Sequence, residues 1–289
     1  MLYPTARAWR EAPEKRVCLF AMSGLGKTHV SQLLREAGDW FHYSVDYRIG
    51  TRYMGEHIAD NFKLEAMKNP FLAELLRSDS IYVASNITFE NLAPLSSYLG
   101  KPGNPAKGGL TLREYERRQG LHHDAEKAAT LDAISFIERA KQLYGYSNFI
   151  CDSSGSLCEV ADGARADDPI MTELSQHMLP VWIRGDEAHT ATLIARFDRD
   201  PKPMCYLPEF LTEAWAGYTA ETGETEAEVD PDAFVRWTYA KALAHRQPRY
   251  AAMARWGVTI DCHIFEQIAS EADFIEAVAD AIEARAANA

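Results

Sequence analysis

The chain has 289 residues, 47% hydrophobic and 25% charged, the balance of a globular protein with room for one large domain or a core carrying an insertion. Its formal net charge of −12 argues against general binding to nucleic acid or to an anionic membrane surface. The five cysteines (18, 151, 158, 205, 262) form no C-x-x-C pair, and Cys18, Cys151 and Cys262 fall in apolar runs that read as buried strands. That pattern implies reduced thiols in a cytoplasmic protein and argues against a zinc site. No apolar run reaches bilayer length and the N-terminus lacks a signal-peptide core, so a soluble protein without a membrane partner is expected.

Residues 1–15 read as an arm. The apolar run 16–22 reads as the first strand, and Ser23-Gly24-Leu25-Gly26-Lys27-Thr28 follows it directly. Val30, Leu33, Leu34 and Ala37 then recur at helical spacing, with Gly38 at the C′ position. Strand, glycine-rich turn and helix form the context of a phosphate-binding loop. The glycines let successive N–H groups face an anion, and the helix N-terminus adds its partial positive charge. In such a loop Lys27 reaches the β/γ-phosphates and the Thr28 hydroxyl ligates Mg²⁺. Ala21 stands where the commonest form of the motif has its first glycine, whereas Gly24 and Gly26 fit the G-x-x-G-x-G-K-[ST] variant.

Residues 40–45 read as a second buried strand, ending at Asp46. Asp46, Arg48 and Arg52 then lie just past its carboxyl end, where ligands bind in open α/β sheets. Residues 61–76 read as helix interrupted at Pro70, residues 80–89 are β-prone, and the Pro/Gly-rich stretch 101–109 is a loop. Thr111-Leu-Arg-Glu114 is a capping box opening a helix that carries Arg113, Arg117 and Arg118. Gly120 is expected to interrupt it, before a second helix with Ala129, Ala133, Phe136, Ile137 and Ala140 on one face. His122-His123-Asp124 is expected in a solvated loop; neighbouring helical residues diverge by about 100°, so the two histidines would not converge on one metal.

Residues 148–151 read as the third strand, and Asp152 at its end suits a Walker B carboxylate that holds Mg²⁺ directly or through water. Residues 179–183 are the fourth strand, followed by a helix from 187 to 197. Arg196, Arg199 and Lys202 cluster at the end of that helix, either to meet phosphate or to complement the helix dipole. Asp230-Pro231 supplies an N-cap and a proline at N1 for a helix running to Gln247-Pro248, and residues 249–256 form another turn. Residues 257–262 are the fifth strand, and Ser270 caps a final helix with Phe274, Ile275, Val278 and Ile282 on its apolar face.

In this order the pieces resemble the P-loop small-metabolite kinases of the shikimate kinase/gluconate kinase type. The resemblance rests on the loop ending Gly26-Lys27-Thr28, on Asp46 after strand two, on Arg196-Phe-Asp-Arg199-Asp-Pro-Lys202-Pro203 in the place of the family's lid, and on Arg246-x-Pro248-x-Tyr250-x-x-x-Ala254 before the last strand. Only the second acid of the family's D-x-D is present, which argues against shikimate as acceptor. The resemblance implies a three-layer α/β/α sandwich with a five-stranded parallel sheet in the order 2-3-1-4-5. Residues 1–58 and 146–289 would form the core, with a lid near 196–210, and 59–145 a mostly helical insertion that binds the acceptor. It implies ATP and Mg²⁺ as cofactors. Ser23, Gly24, Leu25, Gly26, Lys27, Thr28, Arg196 and Lys202 would contact nucleotide, and Thr28, Asp46 and Asp152 would serve the metal. Lys27, Asp46 and Arg199 would be catalytic. An anionic acceptor would suit Arg48, Arg52, Arg113 and Arg117, although the last two read equally well as a helix face paired with Glu114 and Glu116. The alternative function is an ATP-hydrolysing regulator that meets a protein partner through 59–145.

Overall fold

The computed structural model describes residues 2–287. In chain order the helices and strands are α1 (Ala6–Glu11), β1 (Arg16–Phe20), α2 (Lys27–Ala37), β2 (Trp40–Ser44), α3 (Val45–Arg48), α4 (Gly55–Ala66), α5 (Pro70–Arg77), α6 (Ala93–Leu99), α7 (Leu112–Tyr144), β3 (Asn148–Asp152), α8 (Leu157–Val160), α9 (Pro169–His177), β4 (Leu179–Arg184), α10 (Glu187–Arg199), α11 (Pro208–Thr222), α12 (Pro231–Ala254), β5 (Val258–Asp261), α13 (Cys262–Phe265) and α14 (Glu271–Ala287). The five strands form one parallel sheet in the order β2-β3-β1-β4-β5, as the resemblance implies. This is an α/β fold on an open parallel sheet, with the phosphate-loop motif directly after β1, the central strand. β1, β3 and the first five residues of β4 are buried almost throughout, as befits strands covered on both faces by helices. Among the described residues no helix is long and apolar enough to cross a membrane.

By packing, the chain divides into two units. One holds the chain up to Val45, Glu126–Asp200 and the chain from Arg236 onward; the other holds Asp46–Ala125 and Pro201–Val235. The first contains the whole sheet. Its N-terminal arm is not a loose leader: α1 docks on α14, where Trp9 Nε1 donates to the Ile275 carbonyl at 2.8 Å, and Trp9 is fully buried. All five cysteines are free and buried. The fifth strand stops at Asp261, so Cys262 opens the short helix α13 instead of ending the strand.

The second unit departs from the sequence reading in several places. Residues 80–89 form no strand; Ile87 packs against Gly50, and Phe89 meets Tyr47 edge to face at 4.8 Å. Side-chain contacts hold this β-prone segment where no ladder partner does. Within the 101–109 loop Pro105–Lys107 makes one 3-10 turn, and Asn104 N–H bonds to the Val229 carbonyl at 2.9 Å.

Gly120 interrupts nothing: α7 runs unbroken through it. His122 and His123 therefore lie on a helix, buried, not in a solvated loop. Burial pushes the His122 pKa down to about 4, with a smaller contribution from His123, so this imidazole is neutral at pH 7. Packing of the helix face outweighs the helix-breaking tendency of one glycine, which costs only about 1 kcal/mol relative to alanine. Pro248 likewise sits inside α12, which continues to Ala254.

Gly120 is exposed, has no positive φ, and a Cβ placed on it would meet nothing within 4 Å. Gly120→Ala is therefore expected to stabilise the protein by about 0.5–1 kcal/mol, read as a higher midpoint in urea unfolding at unchanged slope. An unchanged or lower midpoint would show that the glycine serves something other than chain geometry.

Candidate phosphate-binding site

The loop between β1 and α2 is shaped by two glycines in left-handed conformation, Gly24 at φ 89° and Gly26 at φ 82°. Gly26 is the N-cap of α2, no side chain caps that helix, and its first turn carries no acidic residue. The N–H groups at its start and the positive end of its dipole are thus left uncompensated by the protein's own anions, which suits an external one. Lys27 is buried at the head of the helix, with Nζ donating to the Ala21 carbonyl at 3.1 Å. Ala21 is fully buried and does not have positive φ, so its Cβ is accommodated without backbone strain.

Parallel register sets Asp152 at the carboxyl end of β3, opposite Leu19 of β1 and Ser44 of β2. Its buried carboxylate accepts a 2.6 Å hydrogen bond from Thr28 Oγ1. His42, pointing inward from β2, places Nε2 3.7 Å from the same Oδ2. The structure thus joins the Thr28 hydroxyl and the Asp152 carboxylate, two of the residues expected from sequence to serve Mg²⁺, and adds His42, which carries no sequence signal of its own.

The turn after β3 completes the site. A Cβ on Gly155 would fall 2.1 Å from Ser23 Oγ and 3.2 Å from Ser23 N, so this turn lies directly against the phosphate loop and any side chain there would have to displace the Ser23 hydroxyl. Ser154 Oγ and Ser156 Oγ are 2.8 Å apart, and Ser156 Oγ donates to Glu126 Oε2 at 2.7 Å, all buried. From α12, Tyr250 OH lies 2.7 Å from the Gly155 carbonyl and 3.2 Å from that of Ala21. Arg246 Nε donates to Glu159 Oε1 at 2.6 Å in a pair whose side chains are 4% and 1% exposed, and Arg249 Nε donates to the Cys158 carbonyl at 2.7 Å. The Arg-x-Pro-x-Tyr segment thus buttresses the turn. Burial, the largest single influence, would lower the Arg246 pKa, but the Glu159 charge, the neighbouring Cys158 and Tyr250 and the hydrogen bond to Glu159 together outweigh it, and the guanidinium titrates above its ordinary range. Burial also pushes the Cys158 thiol up to about 12, so it is no nucleophile at neutral pH.

Arg196 and Arg199 are exposed in the last turn of α10, so the helix extends two residues beyond its expected end and takes in both. Leu193 of the same helix lies over the loop, its Cδ2 3.0 Å from where a Gly24 Cβ would stand. Arg196, three residues further on, shares that side of the helix better than Arg199.

The remaining sequence candidates belong to the second unit. Asp46 is half-buried in the first turn of α3, not at the end of a strand. Arg48 lies 5.8 Å from the Tyr53 ring centroid, and Arg52 is exposed in the single π-helical turn Ile49–Tyr53, where Met54 N–H bonds the Ile49 carbonyl at 2.8 Å. Turns of that kind are common at functional sites. Arg113 is exposed, while Arg117 makes two 2.8 Å bonds to the Glu114 carboxylate, which Arg118 also contacts. These bonds, that of Arg117 foremost, hold the Glu114 pKa down to about 2. Lys202 is exposed.

No protein-family profile matches the chain, and no curated protein matches it. Among solved structures it is similar to the shikimate kinase from Bacteroides thetaiotaomicron, with 12% identity over 94% of this chain and 98% of that one and a TM-score of 0.40. The strand order and the loop, not this likeness, carry the fold assignment.

Removing one partner of a buried ion pair leaves an uncompensated charge and costs about 3–5 kcal/mol. Arg246→Ala should lower the unfolding free energy by that amount in urea titration. A loss below about 1 kcal/mol, the scale of an exposed pair, would show that the pair does not hold the turn.

Proposed function

We propose that the protein is an ATP-dependent phosphotransferase acting on a small anionic metabolite. The observation that carries this reading is the 2.6 Å bond from Thr28 Oγ1 to Asp152 at the head of an uncapped helix that also bears buried Lys27. In this reading the N–H groups of Ser23–Thr28 and the Lys27 ammonium hold the β/γ-phosphates of ATP. A hydroxyl and a carboxylate that already converge are hard oxygen donors of the kind Mg²⁺ takes, so Thr28 and Asp152 fit that ion. Bound there with the nucleotide, Mg²⁺ would supply neutralisation of phosphate charge. Asp46 is the acid assigned to the acceptor: it accepts the hydroxyl proton as the acceptor oxygen bonds to the γ-phosphorus and the bond to the ADP oxygen breaks. Arg196, Arg199 and Lys202 provide cations for the charge that spreads over the transferred group, a reaction governed by positioning and electrostatics. Arg199 and Arg196 offer a planar fork that Lys202 lacks. For an anionic acceptor the assigned cations are Arg48, Arg52, Arg113 and Arg117, of which Arg117 also engages Glu114.

A second reading, an ATP-hydrolysing regulator that meets a protein through residues 59–145, is favoured by the exposure of Leu64 (67%), Phe71 (67%) and Tyr82 (89%). Exposed apolar side chains mark a partner surface where they form one contiguous patch.

ATP consumption by the purified protein, measured against a panel of phosphorylatable metabolites with and without carboxylate or phosphate groups, separates the two. The kinase reading expects turnover stimulated by an anionic acceptor, with Lys27→Ala reducing it about 100-fold or more. Arg196→Ala and Arg199→Ala should lower kcat while leaving Mg·ATP affinity nearly unchanged, because their interaction belongs to the transition state. Slow hydrolysis indifferent to every acceptor would favour the regulator, and absence of any ATP binding would sink both.

A further inference from the structure

Asp186 is far in the chain from the neighbours Cys262 and His263, but parallel pairing of β4 with β5 brings the three together at the carboxyl edge of the sheet. One oxygen, one sulfur and one nitrogen donor atom from these residues all lie within 4.8 Å of one another. The Asp186 carboxylate has its two oxygens divided between tasks. Oδ1 caps α10 by accepting from His189 N–H at 2.6 Å, and Oδ2 lies 2.8 Å from His263 Nε2. Cys262 is buried, whereas the His263 side chain is 69% exposed, so the cluster is closed on the thiol side and open to solvent on the imidazole side. His189 Nε2 is buried without a hydrogen-bond partner among the described residues, in the same first turn of α10 that Asp186 caps.

We propose that Asp186, Cys262 and His263 form a binding site for a thiophilic divalent metal ion, Zn²⁺ by preference. A thiol and an imidazole beside one carboxylate oxygen are the donor set that selects Zn²⁺ or Co²⁺ over Mg²⁺ and Ca²⁺, which require oxygen cages. Bonds of about 2.0–2.3 Å in a tetrahedron place ligand atoms roughly 3.3–3.8 Å apart, so the observed spacings need side-chain adjustment of about 1 Å or less. The fourth position falls to water. On binding, the Cys262 thiol proton passes to solvent, the sulfur bonds the metal as thiolate, and the His263 contact to Asp186 is exchanged for a metal bond. The site is separate from Thr28 and Asp152 and does not depend on the kinase reading. It does bear on the loop, because Phe265 on α13 lies 3.8 Å from where a Gly26 Cβ would stand. A metal on the first turn of α13 would fix a helix that packs against the cap of α2.

The test uses the full-length protein, freed of metal by chelator and titrated with Co²⁺ under reducing conditions. One equivalent should produce a near-ultraviolet thiolate-to-cobalt absorption band, which one equivalent of Zn²⁺ then removes. Cys262→Ser should abolish the band. His263→Ala, an exposed substitution that leaves the core intact, should weaken Co²⁺ affinity at least tenfold, and Asp186→Asn should weaken it too. Lys27→Ala should bind Co²⁺ as the wild type does. Absence of the band in the wild type, its survival in Cys262→Ser, or indifference to His263→Ala would each overturn the site; circular dichroism of each variant separates loss of ligand from loss of fold.

Discussion

The phosphate loop keeps its shape because a turn from another strand is pressed against it, and that turn is held by a buried ion pair. Arg246 and Glu159 meet at 2.6 Å almost out of contact with water. Such a pair adds little net stability compared with an apolar replacement, yet neither partner can be lost singly without a large penalty. Its position therefore matters more than its strength. Arg246 also reaches the Gly155 carbonyl at 3.3 Å, and the single Tyr250 hydroxyl proton is shared between Gly155 and Ala21. The chain of contacts from α12 through Gly155 to Ser23 is continuous.

Much of the first unit was legible in the sequence because its signals are local. The apolar runs before Lys27, before Asp152 and at Leu179–Arg184 are strands buried on both faces, and their order with the intervening helices leaves few topologies. The positions at which local reading failed share one cause. Gly120, Pro248 and the segment 80–89 carry local preferences that the packing of the elements around them overrides. Pro248 lies between two residues, Arg246 and Arg249, that bond the turn after β3. Those contacts offset the roughly 3 kcal/mol that a helix-interior proline costs. His122 and His123 followed from Gly120: once the helix continues through the glycine, they fall among buried residues.

The site divides in the same way. Lys27, Thr28 and Asp152 were named from motif and strand order, and the parallel register brings them together. Glu159, Tyr250 as a carbonyl donor, and the contact of Gly155 with Ser23 carry no local pattern, since each is defined by a residue about 90 or more positions away. Gly155, directly after Asp152-Ser153-Ser154, is the one local signal. The approach of Asp186 to Cys262 and His263 is likewise absent from any local pattern, because pairing of β4 with β5 brings it from a distant stretch of the chain.

Ala21 shows how a departure from a motif can be physically empty. The first glycine of a phosphate loop is needed only where the backbone must take positive φ or where another chain passes too close for a Cβ. At position 21 neither holds: the residue is fully buried without positive φ, and its carbonyl, which glycine and alanine share, does the work of receiving Lys27 Nζ and Tyr250 OH. The constraint has moved to Gly24 and Gly26, where φ is positive, and to Gly155, where Ser23 stands in the way. An alanine here accordingly gives no ground for a weakened phosphate site. Its methyl group fills core volume beneath the loop and limits the freedom of the unfolded chain, both of which favour the folded loop over a glycine at the same place.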